Sequence, residues 1–595
     1  MSVRNTGSRE GAEVVQLYVA DLKSSLPRPV KELKGFRKIN LAPGESKLVS
    51  FTINKSALSY YDDGKGCWVC EPGKFEAIVA ASSADIRGKT AFEVIPYDAE
   101  KSLYPKTKNE DVKGIMSDAY WKKWDDREQK RIDEDIEKYR KADAEVILAD
   151  CSPGAEVKVE QLTHDFVFGA HIFNFNQLGS ADANRRYREV FGSLFNGATV
   201  PFYWKTFEPR LGHLRFLTSE NDTEEFWNTC SEPYYQPNWR RPSTDQIVEF
   251  CKEKGIRMHG HVLVWGNRKW HHPEWMESFL EGDEKRLYNE MIVERADLKN
   301  YKDGDTFNEA YEDLTPCEIY NLFPGFIDRM SREFDRRIEE VAQRYGDTIP
   351  SWDIVNESTI DYEDGRIIPG NAFCKSKYGF MPGDYPYRAL SVAARSFPKN
   401  VALNINDYKM TQGYADEVKE LLGRGAKIDI VGAQMHLFKP QNCIDIAAGK
   451  ERQTPNQVRR WMDMLGEAGV PIHLSEITIT SPGDDERGRG IQAVIARNLY
   501  RLWFSNPKMM GITWWNVVDD CGAPGEPNKS GLFDRQMHPK TAYYALNDLI
   551  NKEWRTNLTL TTGSDKTLRF RGFKGKYRIS YKTIDGKRRV VGFRL

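Results

Sequence analysis

The chain holds 595 residues, which predicts two or three domains rather than one. Hydrophobic residues make up 40% and charged residues 29%, a balance that excludes a largely disordered chain. A formal net charge of −1 gives no electrostatic reason to expect nucleic acid or anionic lipid as a partner. No apolar run reaches the roughly 18 residues of a membrane helix, so we expect no membrane partner.

Nine cysteines are scattered along the chain, and Cys67 and Cys70 form the only CxxC pair in the sequence. In a strand this spacing points the two side chains to opposite faces, and no second CxxC or nearby histidine pair completes a zinc set. We therefore expect no metal and no cofactor. The first residues, MSVRNTGSREG, show no basic stretch followed by an apolar segment, so no signal peptide is visible.

The N-terminal 97 residues are predicted to be a β-sandwich of immunoglobulin type. Strand-like runs EVVQLYVA, SKLVSFTI and GKFEAIVAAS are separated by turn signals such as APGE and DDGKG. The alternation of Val49, Phe51 and Ile53 is typical of a half-buried strand.

The same segment closely resembles the fibronectin-III-like C-terminal domain of family 3 β-glucosidases. The resemblance rests on VRNTGSREGAEVVQLYVAD, RPVKELKGFRKINLAPGE and SSADIR, and the catalytic domains of that family are not found here. In the family a strand or more precedes the NTG motif, so we expect this domain to be trimmed or to borrow a strand. It shows no catalytic constellation, and we expect it to be structural or to help dock substrate.

Residues 98–142 are rich in mixed charges and are predicted to form a helical linker. Residues 143–165 show a hairpin pattern, and the tail 552–595 is again strand-like. Neither piece is long enough to bury a core alone. We expect the two to pack together as a small β domain beside the domain that lies between them, residues 166–551.

Between these pieces eight apolar strand patterns alternate with helical patterns, which predicts an α/β fold of the (β/α)₈ TIM barrel class. The strands are apolar throughout, as buried parallel strands should be. The predicted strands are 166–173, 197–204, 256–265, 352–357, 401–407, 428–437, 471–479 and 511–518. A long excursion over 266–320 lies where a barrel keeps its active-site loops.

Two carboxylates stand out among the residues at the predicted strand ends. Glu357 ends strand 4 directly after Asn356, and Glu476 ends strand 7. Strands 4 and 7 face each other across an eight-stranded barrel, so the two groups are placed to flank a glycosidic bond. Cleavage of such a bond needs one group to protonate the leaving oxygen and one to capture or stabilise the cationic sugar centre. Ordinary polar caps at strand ends are the plainer interpretation of each carboxylate taken singly.

The barrel segment, about residues 166–550, resembles glycoside hydrolase family 10, the xylanase family. WDIVNE, LNIND, IDIVGAQMHL, IHLSE, HGHVLVW and GLFDRQMHPKTAYYAL carry the resemblance. It implies that Glu357 is the acid/base, that Glu476 is the nucleophile and that Asn356 holds the sugar 2-hydroxyl. The residues that it implies around the cleavage point are His261, Trp265, Gln434, His436 and Trp515.

Several positions depart from the family pattern. Strand 2 of the family carries Asn-Glu-Met-Lys-Trp, whereas residues 200–204 read Val-Pro-Phe-Tyr-Trp; we expect Trp204 to bind substrate and Lys205 to replace part of the missing donors. Gly266 stands where a histidine often follows the tryptophan of strand 3, and Thr478 replaces an aspartate. The loop after strand 8 reads CGAPGEPNKSG in place of a Ser-Trp pair. The catalytic pair is retained while residues that grip substrate change.

The sequence predicts a retaining glycoside hydrolase acting on a plant polysaccharide or oligosaccharide, with an endo-β-1,4-xylanase first among the candidates. Alternatives are a β-glycosidase for a different or decorated β-glycan and a sugar-binding relative that has lost catalysis. Aromatic residues make up 12% of the chain, which suits stacking on sugar faces, although a large core is the plainer interpretation. Polymer degradation also implies a secreted or periplasmic protein.

Overall fold

The structure is a computed structural model that divides into two compact units, Met1–Ser102 and Leu103–Leu595. It describes residues 1–51, 53, 55–63, 67–94, 104–217, 242–294, 313–377, 379–523 and 525–595. The predicted turn DDGKG, the start of the predicted linker and parts of the predicted excursion over 266–320 lie outside these residues, as does the Cys67 side chain. No helix in the described ranges is long and apolar enough to cross a bilayer.

The N-terminal unit is β structure, as the sequence predicts. Its main antiparallel sheet has the strand order Glu32–Leu41, Gly11–Asp21, Gly73–Ala80 and Ile86–Val94. Smaller elements are the paired strands Ser2–Arg4 with Ser46–Leu48, the paired strands Tyr60–Asp62 with Cys67–Val69, and the helix Lys55–Leu58. Val19 and Phe75 of the main sheet are buried in one cluster with Leu58 of the helix. The strand predicted over 46–53 is shorter in the structure and ends at Leu48, although Val49 is buried as the alternation requires.

The second unit contains a closed parallel barrel of eight strands, which confirms the predicted fold. Going around the barrel, the strands follow the order 3, 2, 1, 8, 7, 6, 5, 4, and strand 4 pairs back to strand 3. Strands 1 to 8 are Val167–His171, Gly197–Pro201, Arg257–His261 with a continuation at Val264–Trp265, Ser351–Asn356, Ala402–Asp407, Ile430–Gln434, Ile472–Ile477 and Met509–Trp514.

Strand 3 differs from its prediction, which was one run over 256–265. The structure interrupts it after His261, where the peptide bond to Val262 is cis. Gly260 allows this strand to lie against strand 4, because an added Cβ would meet the Trp352 ring at 2.2 Å.

Amphipathic helices cover the barrel. Pro324–Tyr345 shows the pattern best, with Phe326, Ile327, Met330 and Phe334 buried on one side. The other helices of the unit are Asp118–Lys123, Asp126–Arg140, Ala181–Ser193, Trp204–Phe207, Thr244–Lys254, Gly282–Glu294, Pro316–Leu322, Thr359–Glu363, Tyr385–Ser396, Gln412–Gly423, Pro440–Ala447, Pro455–Leu465, Glu486–Ser505, Thr541–Asn547 and the wide turn Asp548–Glu553. Among the described residues, short 3₁₀ turns span Lys108–Glu110, Glu274–Phe279 and Gly466–Ala468, and a hairpin joins Phe373–Ser376 to Gly379–Pro382.

The segment predicted as a helical linker lies on the barrel rather than between bodies. Helix Asp126–Arg140 begins at an Asp125 cap and buries Ile132 and Ile136. The Arg140 guanidinium donates to the carbonyls of Phe504, Asn506 and Met509. These contacts anchor the helix at the start of strand 8.

Residues 141–161 and the C-terminal tail pair as antiparallel strands beside the barrel. Lys141–Ile147 pairs with Thr567–Phe573. A second, four-stranded sheet has the order Asn557–Thr561, Glu156–Gln161, Lys576–Lys582 and Arg588–Arg594. Its inner face buries Val157, Val159, Ile579 and neighbours in a separate small core. We call this four-stranded sheet the flanking sheet.

Replacing Ile579 with alanine tests how much this small core contributes. Ile579 is 0% exposed in the flanking sheet, so Ile579→Ala should lower the free energy of unfolding by about 2–5 kcal/mol. Val590 lies on the neighbouring strand and is 53% exposed, so Val590→Ala should change it by less than about 0.5 kcal/mol. Urea unfolding followed by circular dichroism measures both, and equal effects would contradict the assignment of the buried face.

Candidate active site

The carboxyl ends of the barrel strands surround a cavity of about 630 Å³. Barrel enzymes place their active sites at this end. Eight of the ten predicted site residues line the cavity. The full lining is Tyr203, His261, Trp265, Asn356, Glu357, Tyr408, Met410, Gln434, Met435, His436, Phe438, Gln453, Trp461, Glu476, Trp515, Gly525 and Glu526.

Glu357 directly follows strand 4 and has a left-handed backbone, with φ of 56°. Such backbone in a residue other than glycine costs energy and is found mostly where a function uses it. Burial raises the pKa of this carboxyl to about 8, and the charges of Asp407 and Glu476 act in the same direction. The Trp265 indole N–H, which donates to Glu357 Oε2 at 2.9 Å, offsets part of this effect. The group is therefore suited to hold a proton near neutral pH.

Glu476 lies in strand 7, and its carboxylate contacts a residue of strand 5 and a residue just after strand 6. Asn406 Nδ2 donates to its Oε1 at 2.8 Å, and His436 Nε2 lies 3.1 Å from its Oε2. Burial raises the pKa of Glu476 to about 7, while the His261 charge and the Asn406 hydrogen bond lower it. The Asn406 hydrogen bond thus favours the ionised form of Glu476.

Asn356, the last residue of strand 4, is joined to strands 5 and 6 through its amide oxygen. Asn356 Oδ1 accepts from Asn406 Nδ2 at 2.9 Å and from Gln434 Nε2 at 3.1 Å. Among the described residues no hydrogen bond is found at its Nδ2 atom. Because Asn356 lines the cavity, this NH₂ group is the donor that it presents to a ligand.

A buried aspartate below the cavity orients two histidines. Asp353 Oδ2 lies 2.8 Å from His259 Nε2 and 2.8 Å from His261 Nδ1. Burial alone would raise the pKa of Asp353, but the two imidazoles lower it well below its usual range. His261 presents its other nitrogen toward Glu476, with Nε2 3.9 Å from Oε1. Asp353 therefore fixes the orientation of an imidazole at the cavity floor.

His436 is held by different partners at its two ring nitrogens. Its Nε2 meets Glu476, and its Nδ1 lies 3.0 Å from the Thr478 hydroxyl. The ring stacks on Phe438 at a centroid distance of 4.1 Å. Burial lowers the pKa of His436 to about 4, so it is neutral near pH 7. A neutral ring that donates from Nε2 accepts at Nδ1, and the threonine hydroxyl is the donor placed to supply that bond.

Aromatic rings and a third carboxylate complete the wall. Trp515 stands edge-on to His261 at a centroid distance of 5.4 Å, and Tyr203 lies 6.1 Å from Trp265. The Trp515 indole N–H donates to Glu526 Oε1 at 3.3 Å, and Glu526 Oε2 accepts from Asn516 at 3.0 Å. The cavity thus combines flat apolar faces with fixed polar groups, the arrangement that a sugar requires.

Two predicted substrate residues, Trp204 and Lys205, lie elsewhere, and their placement at the substrate is corrected. The helix Trp204–Phe207 begins soon after strand 2, and Trp204 packs against Phe334 of a surrounding helix and not in the cavity. Its ring is fully buried and donates to Glu208 Oε2 at 2.8 Å. Lys205 pairs with Glu274 at 3.0 Å and lines a separate cavity of about 320 Å³. Tyr203, one residue earlier, is the side chain that reaches the site.

Sequence reasoning did not single out Tyr203, Asn406 or Glu526. Asn406 lies one residue before Asp407, the last residue of strand 5. Asp407 is buried and accepts from the backbone N–H groups of Thr359 and Lys409 at 3.0 and 2.8 Å, so it is Asn406 that faces the site. Glu526 lies in an irregular loop, where no sequence periodicity places a side chain.

The part of the chain that the structure describes lacks the side-chain groupings that hold metal ions in proteins. No group of three or more histidine, cysteine, aspartate or glutamate side chains there is arranged to hold an ion. The arrangement instead offers two buried carboxylates, each with a raised pKa, oriented amides and aromatic walls. Such a pair is able to supply a proton and a nucleophile to one bond.

Family models and curated relatives match two separate parts of the chain. The model described as "Glycosyl hydrolase family 10" matches residues 212–549, and a fibronectin type III-like domain matches residues 13–83. The Bacteroides ovatus β-glucosidase BoGH3A is 55% identical over 95 residues, and the Salmonella typhimurium periplasmic β-glucosidase is 45% identical over 95 residues. Each match covers 16% of this chain, and the chain spans only 13% and 12% of the length of these two enzymes.

Solved structures that are similar to the chain include two Thermotoga proteins. Xylanase 10B from Thermotoga petrophila, in complex with xylobiose, is 20% identical with a TM-score of 0.42, and the alignment covers 65% of this chain and 95% of that one. Native xylanase 10B from Thermotoga maritima is 19% identical with a TM-score of 0.43, covering 65% and 96%. The family match begins at residue 212, so strands 1 and 2 precede it although they complete the barrel.

Replacing Thr478 with aspartate tests the neutral state of His436. A carboxylate beside Nδ1 favours the charged imidazole, so Thr478→Asp should raise the His436 pKa by about one unit or more. NMR titration of the His436 ring gives this value directly. Thr478→Val is the matched control because it keeps the shape and removes the hydroxyl. A wild-type His436 already charged at pH 7, or an equal response to both substitutions, would contradict this account.

Proposed function

Because the chain belongs to glycosyl hydrolase family 10 and is a glycoside hydrolase, we propose that it cleaves xylan internally at β-1,4 bonds with retention of configuration. In this proposal Glu476 is the nucleophile and Glu357 is the acid/base. One observation carries it: two buried carboxylates, each with a raised pKa, line one cavity at the ends of strands 7 and 4.

The reaction uses each carboxylate twice. Ionised Glu476 attacks the anomeric carbon while Glu357 gives its proton to the departing glycosidic oxygen, which leaves as the alcohol of the second sugar. The sugar is then bonded to Glu476 as an ester. Ionised Glu357 next takes a proton from water, whose oxygen attacks the same carbon and releases Glu476 as a carboxylate. Two inversions give overall retention, and Glu357 ends protonated.

The surroundings of the two carboxyls support this division of labour. The attacking group must be ionised while the acid keeps its proton. Asn406 and His436 contact the Glu476 oxygens, whereas burial and the Asp407 charge keep the proton on Glu357. Once Glu476 is esterified its negative charge disappears, which lowers the pKa of Glu357 and prepares it to act as a base.

The walls of the cavity are proposed to hold the sugar at the cleavage point. The Asn356 NH₂ group would donate to the 2-hydroxyl, a contact that strengthens as positive charge develops on the ring. Trp515 and Trp265 would supply flat faces for the sugars on either side of the bond. Tyr203 occupies the position where the family pattern has amide and amine donors one subsite further out.

A second candidate substrate, a decorated or non-xylan β-glycan, is favoured by the same departures. The Tyr203 ring and the Glu526 carboxylate face the cavity in place of the expected groups. Glu526 accepts hydrogen bonds, so it suits a sugar with an additional hydroxyl near Trp515. Under either candidate the substrate is a polymer outside the cell, and we propose that the protein is exported.

A panel of soluble glycans separates the two candidates. Linear xylan, arabinoxylan, mixed-linkage β-glucan and aryl β-glycosides would be incubated with the full chain, and new reducing ends and viscosity would be followed. Internal cleavage of xylan predicts a fast fall in viscosity with oligosaccharide products. Cleavage of β-glucan alone would establish the second candidate. Glu476→Ala is the control and should be inactive on all members; a folded wild type with no activity on any member would contradict both.

A further inference from the structure

The C-terminal tail is strongly basic although the chain as a whole carries a net charge of −1. From Arg555 to Leu595 the sequence contains twelve lysines and arginines and only two acidic residues, Asp565 and Asp585. The tail supplies three of the four strands of the flanking sheet. The charge is therefore concentrated on one small part of the molecule.

Strand alternation puts much of this charge on one face of the flanking sheet. Side chains of Lys576, Arg578 and Lys582 point outward, because Tyr577, Ile579 and Tyr581 between them are buried. The pairing registers show which residues of the other three strands lie on the same face as Lys576, Arg578 and Lys582. The outer face carries the cations Lys158, Lys576, Arg578, Lys582, Arg588 and Arg594 against the carboxylates Glu156 and Glu160.

Only part of this positive charge is neutralised within the protein. Arg578 pairs with Glu160 at 3.0 Å, and Arg594 pairs with Asp165 at 3.0 Å. In the described ranges no ion pair involves the other four cations of the face. Two of these, Lys582 and Arg588, are directly opposite each other on paired strands. Like charges in that position destabilise a sheet, so the arrangement is unfavourable unless an anion lies between them.

The surface between the cations carries small side chains. Thr559, Ser580, Val590 and Gly592 lie in the outer rows of the sheet, and the aromatic side chains of Tyr577 and Tyr581 belong to the buried face. Val590 is exposed there, but the described residues of the outer face include no rings that could stack on single-stranded nucleic acid and no cluster of apolar anchors that could enter a lipid interface. Neutral glycans likewise depend on rings for binding. Carboxylates attached to an extended chain fit the cations and the flat rows.

We propose that the outer face of the flanking sheet binds acidic polysaccharide through the uronate carboxylates of its sugars. Each exposed contact contributes little by itself, so a chain that presents several carboxylates in succession is required. Attraction between exposed charges is screened by salt, so binding weakens as ionic strength rises. Binding of this kind would hold the hydrolase on uronate-bearing plant polymers while the barrel cleaves a neighbouring glycan.

Affinity electrophoresis of the full chain in gels containing polygalacturonate tests the proposal. This polymer consists of uronates and lacks β-1,4-xylosyl bonds, so retardation reports on a site other than the proposed cleavage site. Lys582→Gln with Arg588→Gln should weaken binding at least tenfold and, since it removes the repulsion between the two opposed cations, should not lower the melting temperature. Lys285→Gln with Lys399→Gln changes the net charge equally at exposed sites on the barrel helices and loops and should weaken binding less than twofold.

The comparison probes decide between ligand classes. We expect neutral dextran, an α-glucan without β-1,4 bonds, to give no retardation and added salt to abolish binding to polygalacturonate. Absence of retardation by polygalacturonate, or equal loss in both double variants, would overturn the proposal. Tighter binding to single-stranded DNA or to vesicles of phosphatidylserine and phosphatidylcholine would overturn it in favour of those ligands. Activity on a short aryl glycoside verifies that each variant is folded.

Discussion

The amide of Asn406 is the contact on which the arrangement of the site depends. Its Nδ2 atom donates both to Asn356 Oδ1 at 2.9 Å and to Glu476 Oε1 at 2.8 Å, so one side chain on strand 5 connects strand 4 to strand 7. Ser475 donates to Asn406 Oδ1 and fixes which end of the amide faces the carboxylate. Gly432 leaves room for it, because an added Cβ would meet Asn406 Oδ1 at 2.4 Å. Closure of the barrel thereby sets the positions of both carboxylates.

Burial is the largest cause of the raised pKa values of the two carboxyls in this site. It raises the pKa of Glu357 to about 8 and of Glu476 to about 7, and a buried carboxylate without donors would cost several kcal/mol. Glu476 accepts a hydrogen bond from Asn406 and contacts neutral His436, while Glu357 faces the Asp407 charge. These surroundings suit the two groups to their proposed roles of nucleophile and acid. The Glu357 backbone N–H donates to the Asn406 carbonyl at 2.8 Å. This bond helps to hold the left-handed backbone of Glu357, so Asn406 positions both carboxylates.

The sequence was informative where geometry leaves little freedom. Parallel strands of a barrel end at one rim, so residues such as Glu357, Glu476 and Gln434 were predictable from strand ends and family motifs. It was less informative just beyond a strand. The helix Trp204–Phe207 begins soon after strand 2, so Tyr203 lines the cavity while Trp204 is buried outside it. Glu526 was not predictable, because its position depends on an irregular loop anchored by Asn516 and Ala523. The basic face of the flanking sheet was not predictable either, because it depends on the register between strands that are distant in sequence.

Trapping of the covalent intermediate tests the central claim most directly. A 2-deoxy-2-fluoro xylobioside with a good leaving group slows both steps but hydrolysis more, so the ester on the nucleophile accumulates. Intact mass and peptide mapping should place one sugar adduct on Glu476 in the wild type and in Glu357→Ala, and none in Glu476→Ala. An adduct on another residue, or turnover of this reagent with inversion and no adduct, would contradict the assignment of Glu476 and Glu357.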